Sequence, residues 1–183
     1  KEQIGGIYAQ RLASHGFLAL TFDPGYQGQS GGHPRDLEDP ATQVEELRAA
    51  IDFLTTQPFV DEDRIGVLGI CAGGGYAVNA ALTERRFKAV GTVVAVDIGQ
   101  AFRNASTQGQ MISQLEAVGR QRTSEARGSV PRRDPWIPVS LLAAEAAGLR
   151  DPEVLDAVRF YREGPHRHSG STNRLLFTSH AGI

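Results

Sequence analysis

The sequence predicts an α/β protein with a doubly wound, mainly parallel sheet. Three apolar runs, residues 17–22, 65–70 and 87–97, have the length and composition of strands. Between these runs, apolar residues recur at helical spacing. Strands that alternate with helices are typical of βαβ units, and their crossovers are expected to be right-handed.

The first helix and strand are predicted at the amino-terminal end of the sequence. An amphipathic helix is expected over residues 1–15, and Gly16 is in place to end it. The continuous apolar run of residues 17–22 follows and stops at Asp23 and Pro24. We therefore expect a buried strand there, closed by a helix- and strand-breaking pair.

A second helix is predicted between Asp39 and Pro58. Asp39 is a favourable N-cap residue, and Pro40 suits the first helical position. The central strand, residues 65–70, is too short for a buried helix and has the character of a strand covered on both faces. The helix that follows it is predicted to continue to about Arg86.

The turn between the central strand and its helix carries a pattern with chemical meaning. GICAG, residues 69–73, has the form Gly-x-nucleophile-x-Gly, known as the nucleophile elbow. Both glycines are expected to avoid a collision where the backbone folds back, and a strained backbone would present Cys71 outward. A lone cysteine is more often a small buried hydrophobe, but this position favours a nucleophile. We predict Cys71 as the nucleophile and the backbone N–H of Ala72 as an oxyanion donor.

Two motifs resemble those of the α/β-hydrolase superfamily, and specifically its dienelactone-hydrolase-like branch, in which cysteine replaces serine. They are GICAGGGYA at residues 69–77 and FDPGYQGQSGG at residues 22–32. The resemblance covers residues 1–97 and implies the α/β-hydrolase fold. It further implies a hydrolase that cleaves an ester, lactone or thioester bond of a small-molecule acyl substrate through Cys71, without a cofactor.

The resemblance also implies a catalytic acid and a histidine that follow the nucleophile in the chain. Asp97 ends the third predicted strand and is a candidate acid, although a turn residue is the plainer interpretation. His180 is the in-chain candidate for the base. Because no further strand pair is evident, we expect the acid and histidine to lie beyond Ile183 and a second oxyanion donor before Lys1. The sequence is thus expected to be a fragment that lacks both ends.

Candidate pocket residues come from the turns and from the segment after the third strand. The loop at residues 23–32 resembles the superfamily's D-x-G-x-G-x-S-G loop, which is mostly structural, so we expect no chemistry from Asp23 or from His33 nearby. Open α/β sheets bind ligands at the carboxyl ends of their strands, where such loops lie. We predict five residues that line the substrate pocket: Tyr26, Gly73, Tyr76, Phe102 and Trp136.

The sequence changes in character from residue 98 onward. Helical spacing is found over residues 108–121 and again after Asp151, and a polar, basic segment with prolines separates the two. A long insertion after a strand is typical of a lid over a pocket, although the same helices could form a protein contact surface. We predict three regions: a partial hydrolase core over residues 1–98, a helical cap or lid over 99–175, and a return towards the core over 176–183.

A dinucleotide-binding fold is the main alternative. Residues 64–97 contain a strand, a glycine-rich turn, a helix, a strand and an acidic end, and Asp97 lies about 20 residues beyond Gly75. Against it, the nearest alignment of the glycine fingerprint puts Cys71 where a glycine must let the backbone approach a pyrophosphate. A Rossmann-type domain of an oxidoreductase and a catalytically silent, hydrolase-like binding scaffold both stay open as alternatives.

The histidines at positions 166 and 168 are a weak indication of metal binding. The pair His166-x-His168 has no third ligand at a recognisable spacing. A solvated turn is therefore expected, and the sequence predicts no metal site.

Composition bounds the remaining function classes. The 183 residues are 40% hydrophobic, enough for one globular domain with a sizeable core. The net charge is -2, so neither nucleic acid nor an anionic membrane is an expected partner. A single cysteine excludes an internal disulfide and favours the cytoplasm. No apolar run is long enough to span a membrane, and a homo-oligomer is left open.

Overall fold

The protein is described here by a computed structural model that covers residues 1–168 and 172–182. The chain forms two compact units. The first unit comprises Lys1–Leu37 and Gly128–Thr178, and the second comprises Glu38–Arg127 and Ser179–Ile183. The predicted division into a core and a lid over residues 99–175 stays a prediction.

The second unit is built around a parallel pair of strands. Strands β1 (Gly66–Ile70) and β2 (Ala89–Val93) pair in parallel from Gly66 opposite Ala89 to Ile70 opposite Val93. Helix α3 (Ala72–Thr83) connects them, as a parallel pair requires. The predicted strand–helix–strand unit is confirmed. Strand β2 corresponds to the strand predicted over residues 87–97 but is shorter. The chain leaves the extended conformation at Val94, where φ is 44°.

Helix α2 (Pro40–Thr55) packs against α3 to form the core of the second unit. Asp39 caps α2 by accepting a hydrogen bond from the N–H of Ala41 at 3.1 Å, and Pro40 is the first helical residue, as predicted. The buried cluster consists of Val44, Tyr76 and Ala80, with partly buried apolar residues around it: Leu47, Ala72, Phe87 and Ile98.

Two helices follow β2 in the second unit. Helix α4 (Ile98–Asn104) was not predicted, whereas α5 (Gln108–Ala126) matches the predicted segment and continues five residues further. Thr107 begins α5 with a capping box, because its hydroxyl and the side chain of Gln110 satisfy each other's backbone N–H groups.

In the first unit, the apolar run of residues 17–22 does not form a strand. Helix α1 (Ile4–Ala13) confirms the predicted helix. The run that follows has no regular secondary structure and pairs with no strand in the described part of the chain, and Phe17 and Leu18 are 63% and 62% exposed. The prediction of a buried strand is therefore wrong for the described residues, because a strand requires a neighbouring strand to bond its backbone.

The rest of the first unit contains short elements. Helices α6 (Leu141–Ala146) and α7 (Pro152–Val158) are present, and α7 begins at the predicted Asp151 cap. Strands β3 (Arg133–Pro135) and β4 (Arg174–Leu176) form an antiparallel pair that was not predicted, since three-residue strands leave no periodic signal. Within the described residues, no helix is at once long and apolar enough to cross a lipid bilayer.

Candidate active site

Cys71 lies at the turn from β1 into α3 in an unusual backbone conformation. Its φ and ψ are 55° and −126°, a region that residues other than glycine rarely occupy, and the residue is exposed. Its N–H donates to the carbonyl of Val93 at 3.0 Å. Its carbonyl accepts from the N–H groups of Gly74 at 2.9 Å and Val96 at 3.0 Å. The strained turn is thus held by backbone bonds to residues on both sides of it.

The glycines around Cys71 do not all serve the same purpose. A Cβ atom on Gly69 would lie 2.6 Å from the Cα of Gly74 and would also strike the carbonyl of Gly73. A Cβ on Gly74 would lie 2.6 Å from the Cβ of Ala95. At Gly73 a Cβ would meet nothing within 4 Å, so the expected crowding at that position is wrong. Position 69 requires glycine because β1 approaches the second and third residues of α3 closely there. Position 74 requires glycine because the chain after β2 packs against it.

Ala72 is the first residue of α3, directly after Cys71. N–H groups in the first turn of a helix have no acceptor within the helix, and they carry its positive dipole end. The N–H of Ala72 belongs to this set. Its role as an oxyanion donor stays a prediction.

Asp97 is the N-cap of α4. Its Oδ1 accepts a hydrogen bond from the N–H of Gln100 at 2.8 Å. The preceding residue, Val96, bonds to the carbonyl of Cys71, so the backbone at Asp97 is one residue from the turn. Capping of α4 is sufficient to explain a carboxylate at this position. The role of Asp97 as a catalytic acid stays a prediction.

His180 and Phe102, two candidate site residues, lie together in the second unit. Their rings meet edge to face, with centroids 5.2 Å apart and planes 78° apart. Both line a cavity of about 210 Å³. Its other walls combine apolar and polar side chains: Met111, Leu115, Arg103, Ser106 and Gln114. The cavity therefore has both apolar and polar walls, and it is smaller than the roughly 300–1,000 Å³ of typical ligand pockets.

Tyr76 and Gly73 follow Cys71 in α3, but Tyr76 belongs to the buried core. The Tyr76 side chain is 9% exposed, and its hydroxyl donates to Oε1 of Glu38 at 2.5 Å. Burial and the nearby carboxylate both raise the pKa of Tyr76. Burial also raises the pKa of Glu38, by more than the Tyr76 hydrogen bond lowers it. Glu38 was not predicted, because its partner is 38 residues away in the sequence.

Tyr26 and Trp136, the remaining pocket candidates, lie in the first unit. Tyr26 has a positive φ of 67°, and its N–H donates to the carbonyl of Gly31 at 2.7 Å. Trp136 is 47% exposed and meets Tyr161 edge to face at a centroid distance of 4.9 Å. Both side chains retain exposed or half-exposed surface, and their role in binding a substrate is untested.

His168 is buried against Asp23 in the first unit, which corrects the expectation of a solvated turn. The two residues are 4% and 6% exposed, and Nε2 of His168 lies 2.9 Å from Oδ2 and 3.0 Å from Oδ1 of Asp23. Oε2 of Glu2 lies 2.8 Å from the same nitrogen. His166, by contrast, stacks on Phe160 at 5.0 Å. Sequence spacing could not identify this group, because 145 residues separate His168 from Asp23.

Asp23 is also bound by its own loop. The N–H of Gln29 donates to Oδ2 at 2.9 Å, and the α-amino group of Lys1 contacts Oδ1 at 2.5 Å. Burial alone would raise the pKa of Asp23, but these contacts and the one with His168 lower it to about 2. The carboxylate is therefore charged, and it joins the loop at residues 23–32 to two distant segments of the first unit.

Comparison with known protein sequences identifies the family. Residues 9–117 match the model of the prolyl oligopeptidase family. Over 129 residues the chain is 49% identical to the uncharacterized protein YcjY of Escherichia coli K12, covering 68% of this chain and 42% of that protein. It is 32% identical over 132 residues to the thiohydrolase aneE of Aspergillus aculeatus, covering 70% of this chain and 41% of that protein.

A solved structure supports the fold. The crystal structure of the α/β hydrolase GrgF from a Penicillium species matches with a TM-score of 0.74 and 24% identity, covering 98% of this chain and 58% of that one. The chain spans about two fifths of the length of the curated relatives that it matches. These findings confirm the predicted α/β-hydrolase fold and do not favour the dinucleotide-binding alternative. The chain belongs to the prolyl oligopeptidase family.

Proposed function

We propose that the protein hydrolyses thioesters and activated esters or lactones with Cys71 as the nucleophile, as in the dienelactone-hydrolase-like branch that its motifs resemble. One observation carries the proposal: Cys71 is exposed, at a φ of 55°, between a parallel strand and the helix that follows it. Such backbone strain is found where a side chain must be presented to a substrate. The similarity to a protein named as a thiohydrolase supports a thioester substrate.

The first half of the reaction transfers the acyl group to the enzyme. The Cys71 thiolate attacks the carbonyl carbon, and the carbonyl electron pair moves to the oxygen, which the N–H of Ala72 stabilises as an oxyanion. When the intermediate collapses, the bond to the leaving thiol or alcohol breaks, and that group takes up the proton that the base had removed from the Cys71 thiol. The acyl group then remains on the sulfur of Cys71.

The second half returns the free enzyme. A water molecule gives a proton to a base and attacks the acyl carbon, and the sulfur of Cys71 leaves as the carboxylic acid forms. We assign the base to His180, supported by its position with Phe102 at a cavity in the second unit. The acid that orients this histidine stays open between Asp97 and a residue outside the 183 residues.

The chemistry of sulfur defines the substrate class. A tetrahedral intermediate on Cys71 expels whichever of its two leaving groups is the better one. A simple alkoxide is a poorer leaving group than a thiolate, so the intermediate would return to the starting ester. Thioesters, aryl esters and enol lactones avoid this return, because their leaving groups are stabilised anions.

The proposal is tested by measuring thiol release from an aryl thioester. Cys71→Ala is expected to lose turnover, and rapid quenching of the unaltered protein followed by mass spectrometry should find the acyl group on Cys71. Because Cys71 is the one cysteine of the sequence, alkylation with iodoacetamide provides a matched inactivation at a single site. Unchanged turnover in Cys71→Ala, or in the alkylated protein, would contradict the proposal.

A catalytically silent scaffold is distinguished by the same assay. If the folded protein turned over neither thioesters nor aryl esters, yet bound a non-hydrolysable acyl analogue, the scaffold alternative would replace the hydrolase. Circular dichroism of every variant confirms that a loss of turnover does not come from unfolding.

A further inference from the structure

Glu2, Asp23 and His168 bring three metal-ligating side chains together in the first unit. One ligand atom from each lies within 4.8 Å of the other two. Nε2 of His168 is 2.8 Å from Oε2 of Glu2 and 2.9 Å from Oδ2 of Asp23. The side chains of His168 and Asp23 are 3% and 4% exposed, and that of Glu2 is 46% exposed. The group is therefore enclosed on one side and open to solvent on the other.

His168 faces more carboxylate oxygens than its Nε2 can bond, although the two oxygens of Asp23 also contact the N–H of Gln29 and the α-amino group of Lys1. Nε2 of an imidazole carries at most one hydrogen, yet three carboxylate oxygens from Glu2 and Asp23 face it at 2.8–3.0 Å. A single N–H cannot donate well to all three. A cation placed between these atoms would instead accept the lone pair of a neutral imidazole and interact with both carboxylates at once.

The charge balance points in the same direction. The group contains two carboxylates, and the α-amino group of Lys1 lies 2.5 Å from Oδ1 of Asp23 and 3.8 Å from Oε2 of Glu2. Oδ2 of Asp23 and Oε2 of Glu2 both remain directed at His168. One ammonium group does not balance two carboxylates, and the penalty for the remaining negative charge rises as the group is buried. A divalent cation would supply the missing positive charge.

We propose that Glu2, Asp23 and His168 form a binding site for a divalent transition-metal cation of the Zn²⁺ type. One imidazole nitrogen with two carboxylate oxygens is a ligand set that Zn²⁺ accepts, whereas Ca²⁺ and Mg²⁺ prefer oxygen ligands throughout. The exposed side at Glu2 leaves a fourth position for water. Bound cation would join the start of the chain, the Asp23 loop and the segment that ends at His168, and thereby stabilise the folded first unit.

The site is tested with Zn²⁺ alone as the ligand. Protein treated with EDTA and dialysed is titrated with ZnCl₂ by calorimetry, and bound metal is counted by mass spectrometry. We expect one equivalent of Zn²⁺ and a higher thermal midpoint when it is bound. His168→Ala, Asp23→Asn and Glu2→Gln should each weaken binding by about tenfold or more, the range known for residues that support metal sites.

Two features of the design separate ligation from loss of structure. Glu2→Gln changes a side chain that is 46% exposed, so it tests the site without disturbing the buried pair. His166→Ala is the matched control, because His166 stacks on Phe160 two residues from His168. It should bind Zn²⁺ as the unaltered chain does. An absence of saturable binding, equal losses in the His166 and His168 variants, or full affinity in Glu2→Gln would each overturn the proposal.

Discussion

Gly69 and Gly74 are in direct backbone contact across the turn that carries Cys71. A Cβ atom on Gly69 would lie 2.6 Å from the Cα of Gly74, closer than real side chains approach. Gly73 lies between them in the sequence, but a Cβ there would meet nothing within 4 Å. The conformation of Cys71 thus depends on the missing side chain at position 69 and is independent of the one at 73.

We expect Gly69→Ala and Gly73→Ala to change stability in opposite directions. Overpacking at position 69 should cost about 1–3 kcal/mol of unfolding free energy. Alanine at position 73, inside α3, should stabilise the helix by up to about 1 kcal/mol. Urea denaturation monitored by circular dichroism measures both, and thiol release measures whether Cys71 is still presented correctly in the Gly69 variant. Equal stability of the two variants would contradict the steric argument.

The sequence predicted the parts of the fold that local rules determine. The β1–turn–α3 unit follows from a short apolar run, a glycine pattern and helical spacing, and the start of α2 follows from Asp39 and Pro40. Residues 17–22 were mispredicted because the local apolar pattern is correct for a strand, while the described chain provides no neighbouring strand. The apolar pattern of one segment does not indicate whether a second strand lies beside it.

The candidate site was predictable to the same extent and for the same reason. The turn that carries Cys71 could be predicted because the residues that form it are consecutive in the sequence. The contacts of Asp23 with His168 and of Glu38 with Tyr76 join residues 145 and 38 positions apart, so no spacing rule could identify them.

Tyr76→Phe should destabilise the second unit by about 1–3 kcal/mol, the usual cost of leaving a buried polar group without its partner. The ring would still fill the core, so the change isolates the hydroxyl, which donates to Glu38 at 2.5 Å. Chemical denaturation of Tyr76→Phe, Glu38→Ala and the double variant forms a thermodynamic cycle, because each single substitution removes one partner of the hydrogen bond. Additive effects of the two substitutions would show that the hydrogen bond contributes nothing.

Stability should fall with rising pH through the ionisation of Glu38. Burial raises the pKa of Glu38 in the folded protein above its unfolded value. The folded state therefore favours the protonated carboxyl. This contribution is fully present below the unfolded pKa of about 4.3 and is lost as the pH rises through the folded pKa.

Glu38→Gln tests this pH dependence. Glutamine keeps an acceptor for the Tyr76 hydroxyl but does not ionise, so the variant should gain in thermal midpoint relative to the unaltered protein between pH 4 and pH 8. Glu116→Gln, on an exposed site of α5, is the matched control and should show a pH-independent difference, since it forms only a surface ion pair with Arg120 at 3.8 Å. If the difference in thermal midpoint between Glu38→Gln and the unaltered protein were also independent of pH, the raised pKa of Glu38 would be contradicted.

Asp97 is expected to act as a helix cap. Asp97→Ala should cost about 0.5–2 kcal/mol by removing the acceptor for the N–H of Gln100. Asp97→Asn keeps a capping oxygen without the charge, so it should restore stability and also retain thioester turnover. If Asp97→Asn instead kept its stability and lost turnover by a hundredfold or more, the carboxylate would be the catalytic acid.

Phe102 and His180 should affect different kinetic constants of the proposed thioesterase. Phe102 contributes an aromatic wall to the cavity, so Phe102→Ala should raise KM by about two- to tenfold, equivalent to the 0.5–1.5 kcal/mol of an aromatic contact. His180→Ala should lower kcat, because the base acts on the reacting atoms. Phe59→Ala, at a phenylalanine that is 70% exposed, is the control for a general effect of losing a ring. The rings of Phe102 and His180 are in edge-to-face contact at 5.2 Å, so each supports the position of the other. An equal loss of kcat in the two variants would therefore indicate that both residues only maintain the cavity.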